Sequence, residues 1–313
     1  MTDLPLITII GPTASGKTAL AVALAVRLDA EIISGDSRQV YRGMDIGTGK
    51  DLGEYDVGGR QVPHHLIDIR DAGYKYNIYE YQEDFRHAID DIRARGKQPI
   101  LCGGSGLYVE SVLRGYAMMP VPENTELRRR LEGKTLDELA QILATYKTLH
   151  NTTDTDTAKR AIRAIEIEEY YLSHGIEARS MPAHRSAVFG IMIDRDERRR
   201  RISRRLDERL AAGMTDEVRR LLDSGIKAED LKYYGLEYKY VTSYVTGEIS
   251  FDEMHDGLET AIHQFAKRQM TWFRGMERRG TPICWIDHSL STDAKIEVIM
   301  DNINKTRNNA SRG

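Results

Sequence analysis

Eight residues near the start of the chain carry its clearest chemistry. Gly11-Pro12-Thr13-Ala14-Ser15-Gly16-Lys17-Thr18 matches G-x-x-x-x-G-K-[ST] at every fixed position. Glycines in such a loop let backbone N–H groups converge on phosphate oxygens, and a helix that begins there turns its positive end toward them. The Lys17 ammonium can reach outer phosphates, and the Thr18 hydroxyl is placed to ligate Mg2+. The pattern points to a diphosphate-bearing ligand and says nothing about the reaction. Farther along, Gly35-Asp36-Ser37-Arg38-Gln39-Val40-Tyr41 is rich in hydrogen-bonding groups. Its carboxylate, Asp36, could be a general base, a metal ligand or a turn residue, and proximity to a phosphate site favours chemistry. Ser105, in the turn Gly103-Gly104-Ser105-Gly106, is a third candidate.

A phosphate loop needs a strand before it and a helix after it, and both are legible. Leu6–Ile10 is a short apolar, β-branched run ending at a glycine, and 18–28 is rich in alanine and leucine. A second strand over 31–34 ends beside Asp36, and a helix over 76–95 stops at Gly96. A third strand at 99–102 runs into the turn that carries Ser105, with a helix from Leu107. Strand, glycine turn and helix recurring in this way imply parallel strands with helices on both faces. From Arg128 onward the pattern turns wholly helical, at 126–131, Leu136–Tyr146 and 158–173, until a strand at 188–193 returns. An arginine-rich helix to Ala212, helices over 216–224 and from 251 onward, and an edge strand at 284–286 follow. The expected fold class is therefore α/β: a P-loop NTPase-like parallel-sheet core (1–115 and 190–300), a helical insertion at 116–189, and a polar, fraying tail at 301–313.

Composition narrows the function classes. Hydrophobic residues make up 41% and charged residues 30% of the 313, which describes a globular chain. Two cysteines, Cys102 and Cys284, cannot build a disulfide framework and favour a reducing compartment. The start of the chain lacks the pattern of a signal peptide, and the apolar stretch at 19–28 is too short to span a bilayer, so a cytoplasmic protein without membrane attachment is expected. A net charge of −3 does not announce nucleic acid, yet between positions 195 and 209 eight arginines face four acids, and Arg128, Arg129 and Arg130 form a second cluster. Such runs are ordinarily solvated helix faces unless a site gives them work.

Generic rules leave two reactions open: phosphoryl transfer by a P-loop kinase, or retention of a diphosphate leaving group while another bond breaks. The remaining segments decide between them. Residues 11–18, Asp36-Ser37-Arg38-Gln39-Val40-Tyr41-Arg42-Gly43-Met44-Asp45-Ile46-Gly47-Thr48, His64-His65-Leu66-Ile67-Asp68-Ile69, Gly103-Gly104-Ser105-Gly106-Leu107-Tyr108, the segment with Arg160 and Arg163, and Ala266-Lys267-Arg268-Gln269-Met270-Thr271-Trp272-Phe273-Arg274 together resemble the tRNA dimethylallyltransferase (IPP transferase) family, in the family's order and over residues 5 to 287. The resemblance implies that a tRNA anticodon stem-loop is clasped between core and insertion, with the target adenosine flipped into one mouth of a channel and dimethylallyl diphosphate entering the other. By similarity Asp36 accepts the proton of the adenine amine, Ser105 lies near the reacting centre, and Lys17, Arg205 and Thr18 with Mg2+ hold the diphosphate. Asp36, Ser37, Arg38, Gln39 and Ser105, with Lys159, Arg160, Ala161, Ile162 and Arg163, are expected to touch the tRNA. A monomer is expected.

Where the family usually has threonine this chain has Ser105, which keeps the hydroxyl. Its Gly-Tyr-Lys/Arg-Glu/Gln segment appears as Gly235-Leu236-Glu237-Tyr238, so no tRNA contact is carried over there. His64 and His65 are read as structural or hydrogen-bonding residues, and Trp272 and Phe273 as core. A prenyltransferase for free adenine nucleotides, a small-molecule kinase and a non-catalytic RNA-binding module are the competing readings. A free nucleotide needs no helical clasp, a kinase leaves 266–274 unexplained, and a binding module has no use for Asp36.

Overall fold

The computed structural model describes residues 5–116, 119–148, 155–176 and 182–310, with side chains to 305. The chain forms two compact units, one of residues 1–115 and 182–313 and the other of 116–181. In the first, β1 (Leu6–Ile10), α1 (Lys17–Leu28) and β2 (Ala30–Ser34) are followed by a 3-10 turn at Leu52–Tyr55, a small hairpin of β3 (Asp56–Val57) and β4 (Arg60–Gln61), and the short strand β5 (His64–His65). Then come α2 (Ile78–Ala94), β6 (Gln98–Gly103) and α3 (Gly106–Arg114). The second unit holds α4 (Thr125–Leu131), α5 (Leu136–Tyr146) and α6 (Ala158–His174). The first unit resumes with β7 (Ser186–Met192), α7 (Arg195–Ala211), α8 (Met214–Asp223), α9 (Ala228–Tyr233), α10 (Leu236–Val245), α11 (Phe251–Arg278), β8 (Cys284–Asp287) and α12 (Thr292–Ala310).

Six strands in the order β5-β2-β6-β1-β7-β8 make one sheet, and every pairing in it is parallel. Helices cover both faces, so the central strands are apolar on both sides. Ile7 and Ile9 of β1 pack with Leu20, Leu24 and Ile299 on one face, while Leu6 and Ile10 pack with Phe85, Val109 and Phe273 on the other. Alternation along one strand thus feeds two cores. Register places the site. Ile10 lies level with Gly103, and Ser34 level with Cys102, so the chain leaves β1, β2 and β6 at one edge of the sheet within a residue of the same height.

Two expectations change, and one strand is new. The helical unit ends at 181 rather than 189, because β7 begins at Ser186 and is held against β1 by the Leu6–Ser186 register. The start of the tail is not a separate polar segment: α12 runs from Thr292 to Ala310, and Ile303 is buried with Ile296 and Ile299 against α1 and the sheet at helical spacing. Residues 311–313 lie outside the described residues. β5 also extends the sheet at an edge where the sequence gives no strand signal, because His-His lacks the β-branched run that marks one.

In the second unit Leu127, Leu131, Leu139, Leu143, Ala161, Ala164 and Ile165 form a separate core. Beside it lies the buried carboxylate of Glu166, which accepts from Arg128 at 3.1 and 3.0 Å, from the Asn124 N–H at 2.5 Å, and from Arg163. Burial pushes that carboxyl up, but these donors together outweigh it and hold it below its ordinary value.

Candidate active site

The phosphate loop follows β1. Ala14 and Gly16 take left-handed backbone angles, φ 60° and 80°, which turn neighbouring amides toward a common point. Helix α1 starts there without a side-chain cap and without an acid in its first turn. Helices α2, α5 and α11 are different: each closes its N-terminus with a capping box, Asn77 with Glu80, Thr135 with Glu138 and Ser250 with Glu253. The orphan N–H groups of α1 and the positive end of its dipole are thus left facing the loop, where an anion fits. Ser15 Oγ, buried in the loop, has no hydrogen-bond partner among the described residues. Loss of hydration lowers the Lys17 pKa; the fields of Arg205 and Arg209 push the same way, and those of Cys102 and Asp36 oppose them.

Two further loops meet this one. After β2, Asp36 Oδ1 accepts the Arg38 N–H at 2.9 Å, a local turn that fixes the half-buried carboxylate, and the Asp36 N–H donates to Ser34 Oγ at 3.3 Å. Ser34 Oγ donates to Gln39 Oε1 at 2.9 Å, and Gln39 Nε2 donates to the Gly49 carbonyl at 3.1 Å. After β6, Ser105 Oγ accepts the Ser37 N–H at 3.1 Å and lies 3.4 Å from Ser37 Oγ, while the Ser105 N–H donates to the Gly35 carbonyl at 3.3 Å. A residue from α11 joins the assembly. Gln269 accepts the Thr13 N–H at 2.9 Å and donates to the Gly104 carbonyl at 2.9 Å, tying the phosphate loop to the loop of Ser105.

The side chains chosen from the first unit's sequence therefore converge: residues 11–18, Asp36, Ser37, Arg38, Gln39, Ser105 and, from α7, Arg205, which pairs with Asp51. Arg38 also lies over the exposed ring of Tyr233, 5.4 Å from its centroid. On α6 of the second unit, Lys159 and Arg160 are exposed, and Arg160 pairs with Asp156. Arg163 is engaged by Glu166 and by the Val121 carbonyl at 2.7 Å. Ala161 corrects an expectation: it has no exposed surface, because its methyl faces the α5–α6 core, so it offers nothing to an RNA. Ile162 packs partly against the same core.

Four residues escaped the sequence reading. Gln269 lay inside a segment singled out there but given no work. Glu217 accepts the N–H groups of Asp45, Ile46 and Gly47 at 2.8, 2.8 and 3.0 Å and the Tyr238 hydroxyl at 2.6 Å, which fixes the loop entering the site. Lys50, with a fully buried side chain, pairs with Asp45 and Asp68 and donates to the Tyr41 carbonyl at 2.5 Å. Arg209 stands beside Arg205. Spacing alone marks none of these, since each acts across more distant parts of the chain or on loops of irregular backbone.

His65 bonds Glu31 at 2.8 Å and His64 lies 3.3 Å from the Val62 carbonyl, so both serve the edge strand. Phe273 is core, whereas Trp272 is partly buried. Burial pushes the Cys102 thiol up to about 12, which leaves it unreactive. Among the described residues no three His, Cys, Asp or Glu side chains cluster as a metal site, and no helix is long and apolar enough to cross a membrane.

Comparison with known proteins now decides the family. Residues 39–276 match the family model described as IPP transferase, and residues 4–62 match that described as isopentenyl transferase. The chain belongs to the IPP transferase family. Among its relatives in that family, tRNA dimethylallyltransferase 2 of Bacteroides fragilis is 63% identical, over 96% of this chain and 98% of that one. A tRNA dimethylallyltransferase 1 of Parabacteroides distasonis is 61% identical over 97% and 99%. The crystal structure of the tRNA isopentenylpyrophosphate transferase of Bacillus halodurans is similar with a TM-score of 0.72 and 33% identity, over 99% of this chain and 98% of that one. This IPP transferase chain is thus alike from end to end to enzymes with the same P-loop core.

Proposed function

We propose that this protein transfers a dimethylallyl group from dimethylallyl diphosphate to N6 of the adenosine 3′-adjacent to the anticodon of tRNA and releases diphosphate. The observation that carries the reading is the convergence of a phosphate loop, a half-buried carboxylate and a loop hydroxyl at one sheet edge, with Gln269 bridging two of the three loops. The adenine amine attacks the first carbon of the prenyl chain, the carbon–oxygen bond breaks, and the electron pair leaves with diphosphate. Lys17, Arg205 and the loop amides stabilise the charge that gathers on those oxygens. Asp36 takes the amine proton. A flipped base costs least in an unpaired loop, which suits an anticodon.

The Thr18 hydroxyl would help hold Mg2+, and no carboxylate cluster would be needed because the substrate would supply most of its ligands. Bound there, it would neutralise charge on the leaving group. Arg38 and Gln39 on the core, and Lys159 and Arg160 on α6, are the side chains offered for RNA contact. The whole reaction belongs in the cytoplasm, carried out by a monomer. Incubating the protein with unmodified tRNA, dimethylallyl diphosphate and Mg2+ and analysing the nucleosides by mass spectrometry tests the proposal: dimethylallyl adenosine should appear in tRNA. Prenylation of free adenosine monophosphate with none in tRNA would overturn it.

A further inference from the structure

Arg209 lies one helical turn beyond Arg205 on α7, so the two guanidinium groups emerge on one face. Both pair with the same carboxylate, Asp51, whose own backbone is left-handed at φ 46°. The sharing is unequal. Arg205 makes a close pair, whereas Arg209 Nη2 stands 3.6 Å from the carboxylate, beyond hydrogen-bond length, and has no acceptor among the described residues. The Arg209 side chain is only 14% exposed, so this is a buried cationic donor left unsatisfied.

Its surroundings are those of the phosphate loop. Thr13 and Ala14 of that loop, with Arg205, Arg209 and Glu237, line one narrow pocket. Gly49 passes directly beneath the pair, where a Cβ would fall 1.8 Å from Arg209 Nη2 and 3.0 Å from Arg205 Nη2. Any other residue there would push the arginines aside. Loss of hydration and the neighbouring Arg205 both weaken Arg209's hold on its proton, while Asp51 and Glu237 partly offset them. Burial in turn raises the Glu237 carboxyl, with Arg209 opposing. Neither acid satisfies the orphan nitrogen by a hydrogen bond.

We propose that Arg209 is a further substrate-binding residue, paired with Arg205 as a two-arginine clamp on the diphosphate, for which both exchange Asp51, and that this clamp sets the preference for a diphosphate over a monophosphate. The planar fork of each guanidinium suits two oxygens of one phosphate, and two forks one turn apart suit two linked phosphates. The inference rests on the diphosphate reading of the phosphate loop given above.

The test is calorimetric titration of inorganic pyrophosphate and of orthophosphate into the full chain, for wild type, Arg209→Met, Arg209→Lys and Lys17→Ala. Wild type should bind pyrophosphate more tightly than orthophosphate. Arg209→Met should weaken pyrophosphate by about tenfold or more and orthophosphate far less, which narrows the ratio. Arg209→Lys, which keeps a point charge but loses the fork, should fall between the two. Thermal unfolding of the ligand-free variants separates a structural effect. A lowered midpoint in Arg209→Met with both affinities unchanged would assign Arg209 to packing and overturn the inference. If Arg209→Met fails to fold, wild-type affinities and ratio in Arg209→Lys overturn it equally. Loss of pyrophosphate binding in Lys17→Ala alone sinks this clamp but leaves the phosphate-loop reading standing, whereas a wild type that binds no pyrophosphate sinks that reading itself.

Discussion

Thr13 and Gln269 are 256 residues apart in the chain, yet the Thr13 N–H donates to the Gln269 side chain at 2.9 Å. Gln269 Nε2 in turn donates to the Gly104 carbonyl at 2.9 Å. One side chain on α11 therefore sets the distance between the loop that grips phosphate and the loop that presents Ser105.

Removing that bridge should misplace both loops. Gln269→Ala leaves a part-buried N–H and a buried carbonyl without their partner, a loss of ~1–3 kcal/mol. Turnover at saturating substrates should fall roughly ten- to a hundredfold, because small misplacements near the reacting atoms are costly. The thermal midpoint should drop by only a few degrees. Steady-state kinetics alongside thermal unfolding checks this, and unchanged turnover would refute it.

Lys17→Ala deletes a charge-assisted contact to the leaving group. Turnover should fall tenfold or far more, from ~1.5–3 kcal/mol upward. Near-normal turnover at saturating dimethylallyl diphosphate would mean that the phosphate loop does not serve this step.

Asp36→Asn keeps the shape of the side chain, and its amide oxygen can still accept the Arg38 N–H that orders the turn. It cannot accept a proton. The chemical step should slow by ~10²–10⁴, the usual worth of a general base, while tRNA affinity changes little. Single-turnover rates with both substrates saturating isolate that step. A variant that binds tRNA poorly yet reacts at the normal rate would make Asp36 a recognition residue.

Arg160 and Arg163 differ in a way their spacing conceals. Arg160 is exposed and, among the described residues, pairs with Asp156 just ahead of the helix, so Arg160→Ala should weaken tRNA binding and flatten its salt dependence, with stability unchanged. Arg163 supports the buried Glu166 carboxylate and the Val121 carbonyl, so Arg163→Ala should cost ~1.5–3 kcal/mol of stability as well. Filter-binding titrations over several salt concentrations, with denaturant unfolding of each variant, distinguish the two. Equal stability losses would contradict the contrast.

Glu31 links acid sensitivity to the sheet edge. Its nearly buried carboxylate pairs with Arg95 and with His65 of β5. Arg95 chiefly holds its pKa below the ordinary 4.5, burial opposes, and His65 adds to the lowering. A lowered folded-state pKa contributes stability that is complete above the unfolded value and disappears as pH falls through the folded one. Glu31→Gln should thus be less stable than wild type by ~1.5–3 kcal/mol at neutral pH, and the gap should close as pH drops below 4.5. Denaturant melts across that range read the difference. A gap that stays constant into acid would assign the loss to packing.

Most of the site was legible because its parts are local. A phosphate loop is contiguous, and parallel strands deliver whatever follows them to the same edge, so the sequence alone places Asp36 after β2 and Ser105 after β6 beside residues 11–18. The same locality made the strands and most helices readable from their apolar period. What the sequence alone left open depends on partners far away in the chain. A glutamine says nothing of which loops it will bridge until α11 is packed against the sheet, and Glu217 becomes a cradle only once the loop at Asp45 is folded over α8. Ala161 sits among basic residues, yet burial is a property of the packed helices rather than of its neighbours in sequence. Polar side chains hid the apolar face of α12, which has meaning only against α1. Charge patterning showed that α7 is rich in arginine. Which guanidinium pairs closely with Asp51 and which keeps an unsatisfied nitrogen was decided by where Asp51 and Gly49 come to rest, because ion pairing depends on distance in space and not on spacing along the chain.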